Sequence, residues 1–457
     1  MRKNKYLYIT LLAVLGFHQE AMAQAIASTP RLVVNITVDQ LRTDYLETFM
    51  PLYGNDGFKK LLKQGKVFAS ASYDFTPVDR ASAIATIATG ATPYYHGIVG
   101  TEWLDRQTLR PVRCTGQDNT PINILTSTLG DEMKLSTSGA AQIYAFAPAA
   151  DAAILSAGHA ADGVAWTNQN RWNNIEYYAP VPLWQSDFTK TYAVETDINK
   201  SITELALSCI EKSNIGTDET PDLLNVIYKQ GATPEESYRN IDQHLSRLIL
   251  RIERRLGHNN VLFVLTGTGY SEEREEREDE EKYHIPTGKF NIQRTANLLN
   301  MYLGAIYGSA KYVEASYKNQ LFLNHQLFDQ KNINLAEVQK RAQEFLLQVE
   351  GVRNVYTSNQ LLTSESERLE KIRNGFCTEK CGDLLIEIAP GWKLVNEETH
   401  ESTTQRVNFI SFPIIFYGAN ITAERVLTPV TVDRIAPTIA KAIRIRAPNA
   451  CASEPLF

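Results

Sequence analysis

Short apolar runs that alternate with amphipathic stretches constrain the fold of this chain more than any other feature. The stretch Ser237–Leu256 has apolar side chains at three-to-four spacing, which predicts a helix with one buried face. Alternation of such helices with buried-type strands is typical of βαβ units, so we predict an α/β fold around a mostly parallel central sheet. The runs that predict its strands are Leu32–Val38, Leu223–Tyr228, Asn260–Leu265 and Ile410–Tyr417.

The chain changes character between residues 285 and 389. Helical and strand-like patterns lie close together there, before the central sheet resumes at Ile410. We therefore predict an α+β insertion, or cap region, at 285–389 within a core made of residues 24–284 and 390–457. The helical patterns are Ile292–Gly308 and Leu335–Val349, and the strand-like patterns are Val352–Tyr356 and Asp383–Ile388.

Residues 1–23 have the pattern of a cleavable secretory signal peptide. Basic residues precede the apolar stretch Tyr6–Phe17, which is too short to span a bilayer, and small residues stand before a cut near Ala23–Gln24. We expect a mature protein with no membrane span, located in the periplasm or outside the cell. The formal charge of −6 argues against a nucleic-acid partner, because binding nucleic-acid phosphates needs a basic surface.

An exported chain can form disulfides among its five cysteines. Cys377 and Cys381 are spaced to close a tight loop, and the alternative is that all five remain thiols. A Cys-x3-Cys pair with no second ligand pair is a poor zinc signal. The sequence leaves the pairing open; the other cysteines are Cys114, Cys209 and Cys451.

The run from Asp74 to Trp103 reads DFTPVDRASAIATIATGATPYYHGIVGTEW. It resembles the nucleophile region of the alkaline phosphatase superfamily, in particular the periplasmic, phosphate-irrepressible branch that is related to nucleotide pyrophosphatases/phosphodiesterases. The resemblance extends from Arg31 to Pro455 and implies an alkaline-phosphatase-like three-layer αβα fold. Its other landmarks are Val38–Arg42, Gly57–Phe58, Ala157–Trp166, Ile285–Gly288, Leu299–Tyr302 and Pro413–Gly418.

At the nucleophile position of that family this chain has Arg80. The position is found by counting back nine residues from Thr89, which matches a Thr-Gly pair in the family's pattern. A guanidinium cannot attack phosphorus, so we predict no catalytic nucleophile there. Thr76 and Ser82 flank the position as possible replacements, but neither has an adjacent base or metal that would activate its hydroxyl.

The resemblance also implies a site for two zinc ions, which clamp the attacking and leaving oxygens in phosphoryl transfer. Asp39 matches the first ligand of that site. Gly267 and Thr268 stand in place of an adjacent Asp-His pair, and Ser411 in place of a distal histidine. An Asp-x3-His pair expected after Tyr228 is missing. We therefore predict that the two-zinc site is lost and that the protein binds no metal cofactor.

The positions that bind substrate in the family differ as well. Thr101 replaces an asparagine, and Ala149 and Asp151 replace a Lys-x-Arg clamp for phosphate. An aspartate at the clamp position would repel a phosphate. Because Asp39 and Arg80 map to one pocket, we hypothesise an ion pair between them, in which the guanidinium replaces the positive charge of the missing zinc.

Other polar motifs are interpreted as structural or solvent-facing. His96, His159 and Asp162 lie in turns that the family shares, and we expect them to support the fold. The run Glu272–Lys282 contains eight acids and three bases. We interpret it as a solvated loop, with a docking surface as the alternative.

Together these substitutions predict a catalytically inactive, exported pseudo-phosphatase that acts as a binding or scaffold subunit. This prediction follows because function depends on the site rather than on the fold. The partner would be an unidentified protein of the periplasm or outer membrane, or a glycan. One alternative is an active hydrolase of phosphate or sulfate esters with a rearranged site. Another is a sensor of small anions or nucleotides that uses the same cleft.

Overall fold

The computed structural model describes residues 29–178, 180–270, 287–395, 402–404 and 410–457. The predicted signal peptide and acidic run lie outside these residues. The strands are β1 Leu32–Val38, β2 Lys66–Ser72, β3 Glu102–Leu104, β4 Pro111–Arg113, β5 Ile143–Ala147, β6 Gly163–Asn168, β7 Arg171–Asn173, β8 Asp222–Tyr228, β9 Val261–Gly267, β10 Gly288–Asn291, β11 Val313–Tyr317, β12 Gln320–Leu323, β13 Val352–Thr357, β14 Leu384–Ile388, β15 Trp392–Val395, β16 Ser402–Thr404, β17 Phe412–Gly418, β18 Glu424–Val426 and β19 Val430–Thr431.

The α-helices are α1 Thr43–Thr48, α2 Phe58–Gln64, α3 Arg80–Thr89, α4 Pro93–His96, α5 Leu129–Ser136, α6 Ala150–Ala157, α7 Leu183–Thr191, α8 Ile198–Lys212, α9 Pro234–Leu256, α10 Ile292–Tyr307, α11 His325–Lys331, α12 Leu335–Leu346, α13 Ser358–Thr363, α14 Glu367–Asn374 and α15 Ile435–Ala442. Short 3-10 helices cover Met50–Leu52, Glu176–Tyr178, His258–Asn260 and Val432–Arg434. Within this described part, no helix is both long and apolar enough to cross a membrane.

The central sheet has the strand order β18-β2-β17-β9-β1-β8-β5-β6-β7, and β19 also pairs with β2. β1 lies in its middle and runs parallel to both β8 and β9. β17 joins the other side of β9 in the antiparallel direction. Every residue of β1, β8, β9 and β17 is buried, as expected for strands covered on both faces. The carboxyl ends of β1 and β9 therefore meet at one edge of the sheet.

Helices cover both faces of the sheet, which makes three layers. Alternate residues of β1 point to opposite layers, because successive side chains of a strand lie on opposite faces. Val34 and Ile36 pack with the apolar stripe of α9, while Val33 packs with α3 and α15. The stripe of α9 is the one that the sequence predicts, and it consists of Ile241, Leu245, Leu248, Ile249 and Ile252.

The C-terminal helix is shorter than its pattern predicts. The sequence predicts a helix over Thr431–Arg446, whereas the structure has a 3-10 turn and then α15. Pro437 is tolerated because it lies in the first turn, where backbone N–H groups have no partner within the helix. The helix ends before Arg444, whose φ of 60° is left-handed.

Residues 288–404 build two smaller sheets beside the core. β11, β12, β14 and β13 form one, and β10, β15 and β16 form the other. Since β15 lies beyond residue 389 and pairs with β10, the small sheets extend past the predicted end of the insertion. The predicted domain boundaries stay a prediction.

Buried polar contacts attach this part of the chain to the core. Arg106, from the loop between β3 and β4, forms an ion pair with the buried Asp383 at 3.1 Å. The Lys380 ammonium donates to the carbonyls of Gly97 and Asn123 at 2.7 and 3.2 Å.

All five cysteines are free thiols here, and the Cys377 N–H donates to the Cys381 sulfur at 3.4 Å.

Asp222, at the start of β8, gives a stability prediction that depends on pH. Its side chain is 2% exposed and accepts hydrogen bonds from the N–H groups of Gln142 and Gly216, both at 2.7 Å. Burial raises its pKa from 3.8 to about 6. A carboxyl with a raised folded-state pKa stabilises most when protonated, so this contribution is present below pH 3.8 and is lost as the pH rises through about 6.

We expect Asp222→Asn to abolish this titration while keeping one acceptor. Relative to the variant, the wild type should lose on the order of 2–3 kcal/mol of unfolding free energy between about pH 4 and pH 7. Urea denaturation of both proteins across that range measures the difference. The exposed Asp329→Asn is the matched control, and parallel curves for wild type and Asp222→Asn would contradict the prediction.

Candidate active site

Arg80 is the first residue of α3, and a capping box fixes where that helix begins. The Asp79 carboxylate accepts from the Ser82 N–H at 3.0 Å, and the Ser82 hydroxyl accepts from the Asp79 N–H at 3.0 Å. The other Asp79 oxygen accepts from the Thr101 N–H at 2.6 Å. Ser82 is fully buried within this arrangement, so its hydroxyl is not placed to attack a substrate.

Asp39 follows β1 and is held by hydroxyl groups from the segment after β9. The Thr268 hydroxyl donates to Asp39 Oδ1 at 2.8 Å and itself accepts from the Gln40 N–H at 2.8 Å. The Tyr270 hydroxyl donates to Asp39 Oδ2 at 3.2 Å. Asp39 is 5% exposed, and burial raises the pKa of its carboxyl although both hydroxyl groups and Arg80 oppose that change.

Arg80 has a closer partner than the one that the sequence predicts. Its Nε and Nη2 donate to the two oxygens of Asp151 at 2.9 and 3.0 Å, a bidentate pair. Its Nη1 lies 3.9 Å from Asp39 Oδ2, so the hypothesised Asp39–Arg80 pair exists as a looser contact. Burial disfavours the charged guanidinium, but Asp151 and then Asp39 raise the pKa of Arg80 above its ordinary value.

The expected effect of Asp151 on an anion is therefore corrected. The sequence suggests an uncompensated negative charge that repels phosphate, whereas the structure pairs this carboxylate with Arg80. Asp151 belongs to the first turn of α6, and Ala149 is the residue before that helix and makes no side-chain cap. The phosphate clamp is thus replaced by an ion pair that joins α6 to α3.

Arg80 and Asp151 border a cleft of about 390 Å³ at the carboxyl edge of the sheet. Arg80 and Arg113 supply positive charge to its lining, and Asp79, Glu102 and Asp151 supply negative charge. Tyr270, whose hydroxyl donates to Asp39, also belongs to the lining. Burial raises the pKa of the Cys114 thiol well above its usual value, so this thiol stays neutral. The full lining is Asp79, Arg80, Thr101, Glu102, Arg113, Cys114, Thr115, Asn119, Ala150, Asp151 and Tyr270.

Sequence reasoning missed several of these residues. Tyr270 follows β9 at the same sheet edge as Asp39, and this position just after a strand is a sequence signal that points to the site. Arg113 and Asn119 lie in and after a short hairpin, where no motif marks them. The motif comparison marks Thr268 only as a replaced ligand, although a hydroxyl beside a buried carboxylate is a natural hydrogen-bond donor.

The residues at the positions where the resemblance implies zinc ligands do not fit a pair of zinc ions. A Cβ on Gly267 would lie 2.8 Å from the Cβ of Leu41, so an aspartate there needs a shift of the chain. The Ser411 hydroxyl contacts the Ser70 hydroxyl at 3.3 Å. Asp39 is the one carboxylate at these positions, and the described residues contain no group of three His, Cys, Asp or Glu side chains that could hold a metal.

The histidines near the site have contacts that suit a structural role. His96 is fully buried between the Thr86 hydroxyl and the Ile98 N–H, at 3.1 and 3.0 Å. Burial, and then Lys380, lower its pKa to about 3, so the ring is neutral. His159 lies against Asp131 at 2.7 Å, and Asp162 accepts from Lys134.

A three-layer αβα fold, with a charged cleft beside the ends of β1 and β9, defines an alkaline-phosphatase-like protein. The chain belongs to the type I phosphodiesterase / nucleotide pyrophosphatase family, whose model matches residues 33–409. It is 24% identical to a protein of Myroides odoratus named calcium-transporting ATPase, over 93% of this chain and 94% of that protein. It is 22% identical to alkaline phosphatase PafA of Elizabethkingia meningoseptica, over 93% and 94% of the two chains.

A solved structure has the same fold. The crystal structure of wild-type alkaline phosphatase PafA superposes with a TM-score of 0.79 at 21% identity, covering 94% of this chain and 98% of that one. The family match confirms the predicted superfamily, and the superposition confirms the alkaline-phosphatase-like fold with a large, mostly parallel central sheet.

The prediction of a catalytically inactive binding or scaffold subunit is contradicted. The chain matches a family of phosphoric ester hydrolases over most of its length, and the relative and the solved structure named PafA are alkaline phosphatases. These findings favour the alternative of an active hydrolase. Replaced ligands do not by themselves exclude a reaction, because the cleft still carries side chains of both charges. The predicted protein partner stays a prediction.

Proposed function

We propose that this protein hydrolyses phosphate or sulfate esters in the cleft beside Arg80, and that it does so without a metal cofactor. The observation that carries the proposal is the position of a guanidinium at the start of α3, 3.9 Å from the buried carboxylate of Asp39. Arg80 thus brings a cation to the lining of the cleft, and the buried carboxylate of Asp39, which is outside that lining, lies beside it.

Arginine suits the binding of an anionic ester. A guanidinium is always charged, and its planar donors match the oxygens of phosphate or sulfate. Asp151 occupies Nε and Nη2 of Arg80, which leaves Nη1 for an ester oxygen. Arg113 supplies a second cation in the lining of the cleft. Donors held in place before the reaction stabilise charge as it develops in the transition state.

Asp39 suits the role of holding Arg80 in place. Its carboxylate is fixed by the hydroxyl groups of Thr268 and Tyr270 and lies 3.9 Å from Arg80 Nη1, so it keeps a negative charge beside the guanidinium. We further propose that residues 1–23 direct export and that the protein acts in the periplasm or outside the cell. Mass spectrometry of the protein purified from the periplasm, beginning at Gln24, would support that proposal.

Hydrolysis by the purified mature protein tests the function. The substrates are p-nitrophenyl phosphate, bis-p-nitrophenyl phosphate and p-nitrophenyl sulfate, each assayed with EDTA and with added zinc. We expect turnover of at least one ester at the same rate in both conditions. Zinc-dependent turnover would reject the metal-independent route. Saturable binding without turnover of any ester would reject hydrolysis and favour the anion sensor.

A further inference from the structure

One side of the cleft is formed by a hairpin that lies outside the central sheet. β3 and β4 form a separate two-stranded sheet. A hairpin of two strands is marginally stable by itself in water, so its position depends on contacts with the rest of the molecule. The hairpin and the residues at its ends supply a large share of the cleft lining, namely Thr101, Glu102, Arg113, Cys114 and Thr115.

The core holds the end of the hairpin that lies next to α3. The Thr101 N–H donates to the Asp79 carboxylate at 2.6 Å, and the Cys114 N–H donates to the Thr101 carbonyl at 2.9 Å. Asp79 also caps α3, whose first residue is Arg80. This end of the hairpin is therefore fixed relative to Arg80 by the core alone.

The insertion holds the opposite end of the hairpin. Arg106 lies in the loop between β3 and β4, and its Nη1 donates to Asp383 Oδ2 at 3.1 Å. Its Nη2 donates to the Cys381 carbonyl at 2.6 Å. Nearby, the Lys318 ammonium donates to the Glu102 carbonyl at 3.3 Å. The loop of the hairpin is thus bound to the insertion by charged donors.

Asp383 is a rigid anchor for Arg106. It is 1% exposed, and its carboxylate also accepts from the Leu323 N–H at 2.8 Å and lies 2.7 Å from His325 Nε2. Both of these partners belong to the insertion. The Arg106 side chain is 20% exposed, so it can turn towards water if the negative charge of Asp383 is removed.

We propose that Asp383 is a positioning residue for the cleft, because its contact with Arg106 sets where the hairpin places Glu102 and Arg113. This inference rests on the proposed function and extends it to the insertion, which contributes none of the described residues that line the cleft. Arg80 and Asp151 belong to helices of the core and do not depend on this contact. Loss of the contact should therefore move one side of the cleft and leave the Arg80–Asp151 pair in place.

Steady-state kinetics of Asp383→Asn tests the inference. The variant keeps the size of the side chain and an acceptor for the Leu323 N–H, but it removes the charge that pairs with Arg106. We expect KM for the best ester to rise by about 10-fold and kcat to stay within about twofold, because substrate binding loses part of its surface while Arg80 is unchanged. A loss of folded protein would instead lower kcat at constant KM, and that result would overturn the inference.

Two further variants separate the Arg106–Asp383 contact from general damage to the insertion. Arg106→Met should raise KM as much as Asp383→Asn, and the double variant should show no further rise, because both changes remove one contact. Independent, additive effects on KM would contradict the proposed role. Glu387→Gln is the matched control, since Glu387 pairs with Arg353 within the insertion, and its KM should equal that of the wild type.

Hydrogen exchange followed by mass spectrometry decides the inference without any turnover. The N–H groups of Asp105 and Leu109 form hydrogen bonds within the hairpin loop, at 3.0 and 2.8 Å. We expect them to exchange about 10-fold faster in Asp383→Asn, with the N–H groups of α9 unchanged. Equal exchange of the hairpin in both proteins would overturn the inference. If no ester is hydrolysed, the proposed function fails, and the exchange result alone shows whether Asp383 holds the hairpin.

Discussion

Replacement of Arg80 by alanine should lower kcat/KM for phosphate esters by about 100-fold or more, which is the usual effect of removing one fixed donor from a transition-state site. Arg80 is the cation nearest Asp39, and its removal leaves Asp39 and Asp151 without their shared counter-charge. Two uncompensated carboxylates at the cleft would also repel the anionic substrate. Steady-state kinetics with the best ester measures the effect.

Two further variants test whether the loss of activity in Arg80→Ala comes from the guanidinium at this position. Arg80→Lys keeps a positive charge but cannot form the bidentate pair with Asp151, so we expect an intermediate rate. Arg353→Ala removes a half-exposed arginine that pairs with Glu387 on the insertion, and it should leave the rate unchanged. Equal rates for wild type and Arg80→Ala would contradict the proposed role.

A threonine hydroxyl at position 80, where the resemblance implies a nucleophile, should not by itself give zinc-dependent hydrolysis. Arg80→Thr places a threonine at the start of α3, but Gly267 has no side chain and the hydroxyl groups of Thr268 and Ser411 give no zinc site to activate it. We expect this variant to be as slow as Arg80→Ala, with or without added zinc. Zinc activation of Arg80→Thr would show that the metal site can still assemble.

Replacement of Asp242 by alanine should lower the free energy of unfolding by about 4 kcal/mol. This carboxylate, on α9, is 2% exposed and accepts from the N–H groups of Gly54 and Phe58, both at 2.7 Å. It thus caps α2 from a separate helix. Alanine would leave the buried N–H of Phe58 without its partner, would remove the partner of the more exposed Gly54 N–H, and would leave a void between α2 and α9.

The measurement is urea denaturation at neutral pH. Asp242→Asn keeps an acceptor for one of the two N–H groups, so we expect about half the loss. The exposed Asp329→Ala serves as the control and should change stability little. Gly57 supports the same contact, since a Cβ on this residue would lie 2.2 Å from Asp242 Oδ1. An unchanged unfolding free energy in Asp242→Ala would show that α2 is capped by other means.

The sheet could be predicted from the sequence because its strands are local signals. β1 matches its predicted bounds, and β8, β9 and β17 differ from theirs by one or two residues. Each is an apolar run that ends at a polar residue or a glycine, so no long-range contact is needed to find it. The stripe of α9 is equally local, whereas its first residues, including Pro234, fall outside the apolar pattern.

The site could be predicted only in part, because its contacts join distant parts of the chain. Motif alignment places Asp39, Arg80 and Asp151 in one pocket, but it does not say which charges pair. Arg80 and Asp151 are 71 residues apart, and Asp39 and Thr268 are 229 apart. Their pairing depends on how α6 and β9 lie against β1. A substitution that removes a ligand in the alignment can therefore supply a hydrogen bond in the fold, as Thr268 does.

The carboxylate of Asp79 has a consequence for how this scaffold can change its chemistry. It binds the backbone N–H groups of Ser82 and Thr101, so neither contact involves the side chain at position 80. The position of that side chain is set by neighbouring residues, and the residue type at position 80 can vary without loss of these contacts. Saturation mutagenesis of this one codon would therefore sample different reactive groups at a fixed point in space. The same independence lets one backbone present side chains of different chemistry at position 80.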